Sequence, residues 1–158
     1  MDLELRPQYQ TVVHGDAKLF LFPSKGDKKR YRIVIDEFDP AWKPFFREVA
    51  LQMQRDSRSL MRLCYDNVRT QTANMERYGL AGYDENDLWV RLDSALMNIY
   101  NASGRLSVNY ALHIRIDIEM LGVLVCLLMA LNTVLVMAPN TLYVPLATAY
   151  DLIKKERP

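Results

Sequence analysis

In residues 1–38 the apolar positions come in short β-prone bursts: Val12 and Val13, then Leu19 to Phe22, then Tyr31, Ile33 and Ile35 alternating with polar neighbours. Between them lie "HGD" and "PSKGDKK", where Gly15 and Gly26 can take positive φ and Asp or Ser can close a loop. The pattern predicts two or three short strands. A two-stranded ribbon alone is marginal in water, so this β-rich segment has to lie on another layer.

From residue 39 to 104 the period becomes helical. Asp39 suits an N-cap with Pro40 at the first helical position, and Pro44 offers a second starting point. Phe46, Val49, Ala50 and Met53 share one face. After a polar break at residues 55–59, Met61, Cys64 or Tyr65, Val68, Thr72 and Met75 continue at steps of three and four, as one long helix or as two. Gly79 and Gly82 stop this run. Asp84 or Asn86 can cap the next helix, whose stripe is Leu88, Trp89, Leu92, Leu96 and Ile99, ending near Gly104. The "HGD" turn, the second extended run and the later "PFFREV" resemble the opening of doublecortin-like and other ubiquitin-like modules, while the downstream half does not follow that pattern.

Residues 105–119 fit two periods. Ile114, Ile116 and Ile118 alternate with Arg115, Asp117 and Glu119 as in a strand, yet Arg115 and Glu119 also pair at i, i+4 and no Gly or Pro precedes Met120. The expectation is one long helix over 105–138. Its second part, "MLGVLVCLLMALNTVLVMA" at 120–138, holds nineteen residues without a charge and is closed by Pro139 and Asn140.

As a helix this segment is about 28 Å long at ~1.5 Å per residue, close to the ~30 Å hydrocarbon core of a bilayer. Only Asn132 and Thr133 interrupt it with polar groups, so a membrane span is favoured over the alternative of a helix buried on all sides. In a span, Gly122, Cys126 and Ala130 recur every fourth residue and Thr133 follows, which makes a small-residue face for a partner helix, with Asn132 able to add a hydrogen bond. Residues 139–158 would form an interfacial, basic tail. Tyr143, Tyr150, Lys154 and Lys155 are the types that sit at headgroup level.

The fold class expected is therefore mainly α with a small N-terminal β-hairpin or ribbon, amphipathic helices, one long apolar helix and a short tail. A length of 158 residues suits one compact domain with an appendage. Twenty basic against nineteen acidic residues leave a formal charge of +1, so no field favours nucleic acid and none is expected as a partner. Asp2 and Glu4 in the opening "MDLELRPQYQ" argue against a transit peptide. The two cysteines, Cys64 and Cys126, make neither a metal pattern nor a disulfide framework, which favours a reducing interior.

Candidate chemistry is sparse. His14 and His113 lie in no metal-ligand spacing, and Asp36, Glu37 and Asp39 lack the spacing of a calcium loop. The basic run Lys25, Lys28, Lys29, Arg30 and Arg32 has no aromatic interleaving for single strands and reads as a soluble hairpin tip. No nucleophile elbow, phosphate-binding loop or dinucleotide fingerprint occurs, so no catalytic, cofactor or metal residues are assigned and an enzyme is not expected.

Two classes of function remain. One is a non-catalytic, single-span accessory subunit of a membrane complex, whose partners are other subunits and the lipid bilayer; accessory subunits of energy-transducing complexes of the mitochondrial inner membrane share this size and charge. The other is a soluble, mainly helical self-assembling or scaffold protein, cytoplasmic or in a virion, with residues 120–138 as core or oligomer interface.

Overall fold

The computed structural model describes residues 10–14, 17–24, 27–36, 42–106, 112–135 and 143–156, with side chains placed at 31–34, 42–104, 114–135 and 143–155. The chain is mainly helical, with a sheet built largely from its N-terminal segment and one long apolar helix. Strands β1 (Gln10–His14), β2 (Ala17–Ser24) and β3 (Asp27–Asp36) form an antiparallel meander, as the apolar bursts predict. The pairing of β2 with β3 is irregular between Pro23 and Ser24.

Helix α1 (Trp42–Thr70) starts with Pro44 in its first turn, where a missing N–H leaves no hydrogen bond unmade. Asp39 and Pro40 lie outside the described residues. The face of Trp42, Phe45, Phe46 and Val49 is buried, and so is that of Leu60, Met61, Cys64, Tyr65 and Val68. Between these halves Asp56 leaves helical geometry at φ −162°, ψ 85°, which makes α1 two helices joined at a kink. The Asp56 carboxylate accepts hydrogen bonds from the Ser59 N–H at 3.1 Å and the Ser59 hydroxyl at 2.6 Å. The polar break thus holds the N-cap of the second half.

Helix α2 (Thr72–Arg77) ends at Gly79, whose φ of 75° lets the Gly79 N–H reach the Glu76 carbonyl and the Leu80 N–H the Met75 carbonyl. That double closure needs a residue free of the β-carbon penalty, and glycine supplies it. Helix α3 (Glu85–Leu106) is capped by Asp84, which accepts from the Asp87 N–H at 2.8 Å, with Glu85 and Asp87 in the positive first turn.

The continuous helix expected over 105–138 does not form. Residues Leu112–Asp117 are strand β4, antiparallel to β3, with Ile114 opposite Ile33 and Ile116 opposite Tyr31. The strand period wins because β3 offers an edge on which Ile114 and Ile116 can face the core beside the fully buried Ile33. Asp117 ends the strand by accepting from the Met120 N–H at 2.7 Å, so it caps helix α4 (Ile118–Leu135). The sheet order is β1-β2-β3-β4, and β4 is an edge added after three helices have intervened.

Helix α4 is the centre of the molecule. It packs on α1, on α3, on the final helix α5 (Val144–Glu156) and on β3 and β4, while α5 covers β1 and β2. Every residue from Leu121 to Leu128 is buried, as are Ala130 and Leu131. Each buried leucine contributes about 1.5–3 kcal/mol, so α4 is, with α1, a large source of apolar burial in the fold.

Candidate functional site

The small-residue stripe of α4 is occupied by the chain itself. Gly122 lies against the backbone carbonyl of Tyr78 and the ring of Tyr150, so close that a β-carbon would meet the carbonyl oxygen. One turn on, the Cys126 thiol points at the Asn74 carbonyl at 3.9 Å. Ala130, a further turn along, is 1 % exposed. Asn132 is half-buried, and Thr133 is exposed with its hydroxyl donating to the Met129 carbonyl at 3.1 Å.

Helix α5 closes over the same region. Tyr150, expected at a membrane boundary, is only 5 % exposed and meets Tyr78 edge to face with ring centroids 5.0 Å apart. Arg77 pairs with Asp151 at 2.6 Å, and Lys154 donates to the Arg77 carbonyl at 3.4 Å while lying 5.7 Å from the Tyr150 ring centre. Lys155 is exposed and Tyr143, at the start of α5, is half-buried. The stripe and the tail, read separately in the sequence, are thus two sides of one contact between α4, the α2 turn and α5.

Burial governs the ionisable groups here. It pushes the Cys126 thiol up to about 12 and raises the phenols of Tyr78 and Tyr150. Cys64, on the buried face of α1, is likewise pushed up to about 12. Burial thus favours the protonated thiol, the poorer nucleophile, at both positions.

Among the described residues no group of three His, Cys, Asp or Glu side chains is arranged to hold a metal ion. The side chains of His14, His113, Asp36 and Lys28 to Arg30 are outside the described set, as are Lys25, Glu37 and Asp39 altogether.

The outer surface holds a second feature, a meeting of two helices that apolar periodicity within each does not reveal. Tyr65 of α1 and Trp89 of α3 pack with centroids 5.2 Å apart, Arg62 lies 5.6 Å from the Trp89 ring centre, and Arg69 lies 5.7 Å from that of Tyr65. Arg69 also pairs with Glu85 at the start of α3. Beside this groove Leu63 is 50 % exposed, and elsewhere on the same two helices Leu51, Val90 and Met97 face solvent. The apolar stripes already name Tyr65 and Trp89, and the spacing of Arg62 and Arg69, seven residues apart on the border of the buried α1 face, is the other trace of the groove in the sequence.

No family model, no curated protein and no solved structure matches the chain, so the reading of its function rests on its own residues.

Proposed function

We propose that the protein is a soluble, non-catalytic interaction or scaffold protein in which α4 is the core of its own fold. The observation that carries this reading is the burial of α4 by α1, α3, α5 and the sheet. The outer faces of the covering helices bear Arg55, Arg58, Arg62 and Asp66 on α1 and Asp87 and Asp93 on α3, all exposed. For lipid to reach α4 these helices would have to peel away or carry their charges into hydrocarbon, which costs at least ~2.5 kcal/mol for each buried charge. Leu51, Leu63, Val90 and Met97, left in water on α1 and α3, together with the arginine–aromatic groove, have the composition of a surface that a protein partner covers.

One observation favours a second reading. Among the described residues α4 is the one helix long and apolar enough to cross a membrane. In that reading the chain is a single-span accessory subunit, of the mitochondrial inner membrane or another, and α4 exchanges its neighbours in the fold for lipid and for helices of other subunits.

Alkaline-carbonate extraction of membranes from cells producing the full chain separates the two. Recovery in the supernatant as one discrete species that needs no detergent supports the soluble reading. Retention in the pellet overturns it in favour of the anchored subunit.

A further inference from the structure

We propose that the outer face of α1 and α3 binds a second copy of the chain, as a two-fold pair in which α1 of each copy lies on α3 of the other. This names a partner for the soluble interaction protein proposed above and rests on that reading. The two helices pack on each other and on α4, which leaves their far sides in water. There α1 presents Arg58, Arg62 and Leu63, all exposed. Helix α3 presents Asn86, Val90, Asp93 and Met97, exposed at steps of four, three and four residues, the spacing with which one helix offers a continuous stripe to another. Leu63 at 50 % and Val90 at 61 % are the most exposed large apolar side chains among the described residues.

Charge selects the occupant. Residues 57–70 of α1 carry Arg58, Arg62 and Arg69 against Asp66. Residues 85–97 of α3 carry Glu85, Asp87 and Asp93 against Arg91, and Arg91 is already paired with Glu119. A basic face and an acidic face side by side on one molecule complement the same two faces turned over, which is what an isologous contact requires.

The register follows from contacts within one copy. Arg69 meets Glu85 and Tyr65 meets Trp89, so α1 and α3 run antiparallel. Arg62, three residues before Tyr65, therefore stands level with Leu92, three residues after Trp89, and Leu63 stands level with Arg91. A two-fold axis parallel to the helices keeps these heights and puts α1 of one copy over α3 of the other. Arg62 then comes within one residue step of Asp93 of the second copy, and Leu63 within one step of its Val90. An axis across the helices would lay the basic stretch of α1 on itself, which like charges disfavour.

The face is small. Two helical stretches about 20 Å long and ~10 Å wide offer about 400 Å² per copy, against ~800 Å² in a standard interface. The pair is therefore weak, concentration-dependent and sensitive to salt.

The test is sedimentation equilibrium of the full chain up to millimolar concentration at low and high salt, repeated with Arg62→Glu and Asp93→Arg. Dimers that weaken severalfold from low to high salt are expected. Each reversal alone sets two like-charged pairs across the axis and should weaken dimerisation at least about tenfold. An equal mixture of the two variants holds one native and one inverted ion pair in each heterodimer, so it should associate within about threefold of the parent. If Arg62→Glu, which also gives up the contact with the Trp89 ring, fails to melt cooperatively, Arg58→Glu takes its place.

A soluble chain that stays monomeric at millimolar concentration overturns the dimer, leaves the face to a different protein and does not touch the soluble reading. A chain that enters solution only with detergent overturns that reading and this contact with it. Dimers indifferent to both reversals overturn the location. Loss in each variant without recovery in the mixture overturns the pairing of α1 with α3.

Discussion

Gly122 on α4 and Tyr78 in the turn after α2 touch backbone to backbone, with the Tyr78 carbonyl occupying the space where a side chain at 122 would begin. This contact closes the α2 turn onto the central helix and leaves the Tyr78 ring free to meet Tyr150. Gly122→Ala is accordingly expected to destabilise the isolated chain by about 1–3 kcal/mol, since neither backbone can yield easily. Gly104→Ala serves as the opposite control. It sits in α3 with nothing within 4 Å of the added carbon and should stabilise by about 0.5 kcal/mol through helix propensity. Urea unfolding of both variants checks the signs; an unchanged midpoint for Gly122→Ala would mean that the stripe does not face its own chain.

The change from strand β4 to helix α4 turns on the Asp117 carboxylate and the Met120 N–H. Asp117→Ala should cost about 1 kcal/mol, and Asp117→Asn, which keeps a side-chain oxygen acceptor, should recover most of it. Denaturation midpoints of the two variants decide this. Equal loss in both would show that the carboxylate acts through charge and not as a cap.

Acid should loosen the kink in α1. The Asp56 carboxyl is held below its ordinary value of 3.8, first by the Ser59 hydroxyl and then by the Ser59 N–H. A carboxyl depressed in the folded state adds stability that is present above the unfolded value and is lost as pH falls through the folded one. The stability curve of Asp56→Asn should therefore be flatter than that of the parent below about pH 4. Superimposable acid limbs would remove Asp56 from the account.

Cys64 and Cys126 are both buried, and each thiol is pushed up to about 12 by that burial. At pH 8 the folded chain is expected to resist an aromatic disulfide reagent, and both thiols should react once denaturant is added. Rapid labelling of the folded chain would place one cysteine at the surface. A mass spectrum of the partly labelled protein would identify it.

Much of the local structure can be read directly from residues. The alternation of Tyr31, Ile33 and Ile35 marks β3, and the three- and four-residue steps from Met61 to Val68 and from Leu88 to Ile99 mark the buried faces of α1 and α3. Asp84 and Gly79 act as the start and stop that their chemistry suggests. These signals are legible because a cap, a turn or a helix face depends on residues within four positions of one another.

Residues 112–117 carry two local patterns of equal merit, and a partner strand some eighty residues away chooses between them. The cap at Asp117 is visible in the sequence, in an acid set just before an apolar run, but it gains meaning only once Leu112–Asp117 is known to be a strand. The Tyr65–Trp89 groove is less legible still, because it is assembled from two helices apart in the chain.

The character of residues 120–138 shows the division most clearly. The sequence by itself determined that this segment is uncharged and must leave water, because transfer out of water depends on composition alone. What receives it was decided only by the tertiary structure, in which α1, α3, α5 and the edge of the sheet close around Leu121 to Leu131. Lipid tails and a protein interior are similarly apolar, so hydrophobicity cannot tell them apart. The proposed soluble reading rests on the charged outer faces of the covering helices and on the fit of Gly122 to the Tyr78 backbone, both of which arise between segments and not within one.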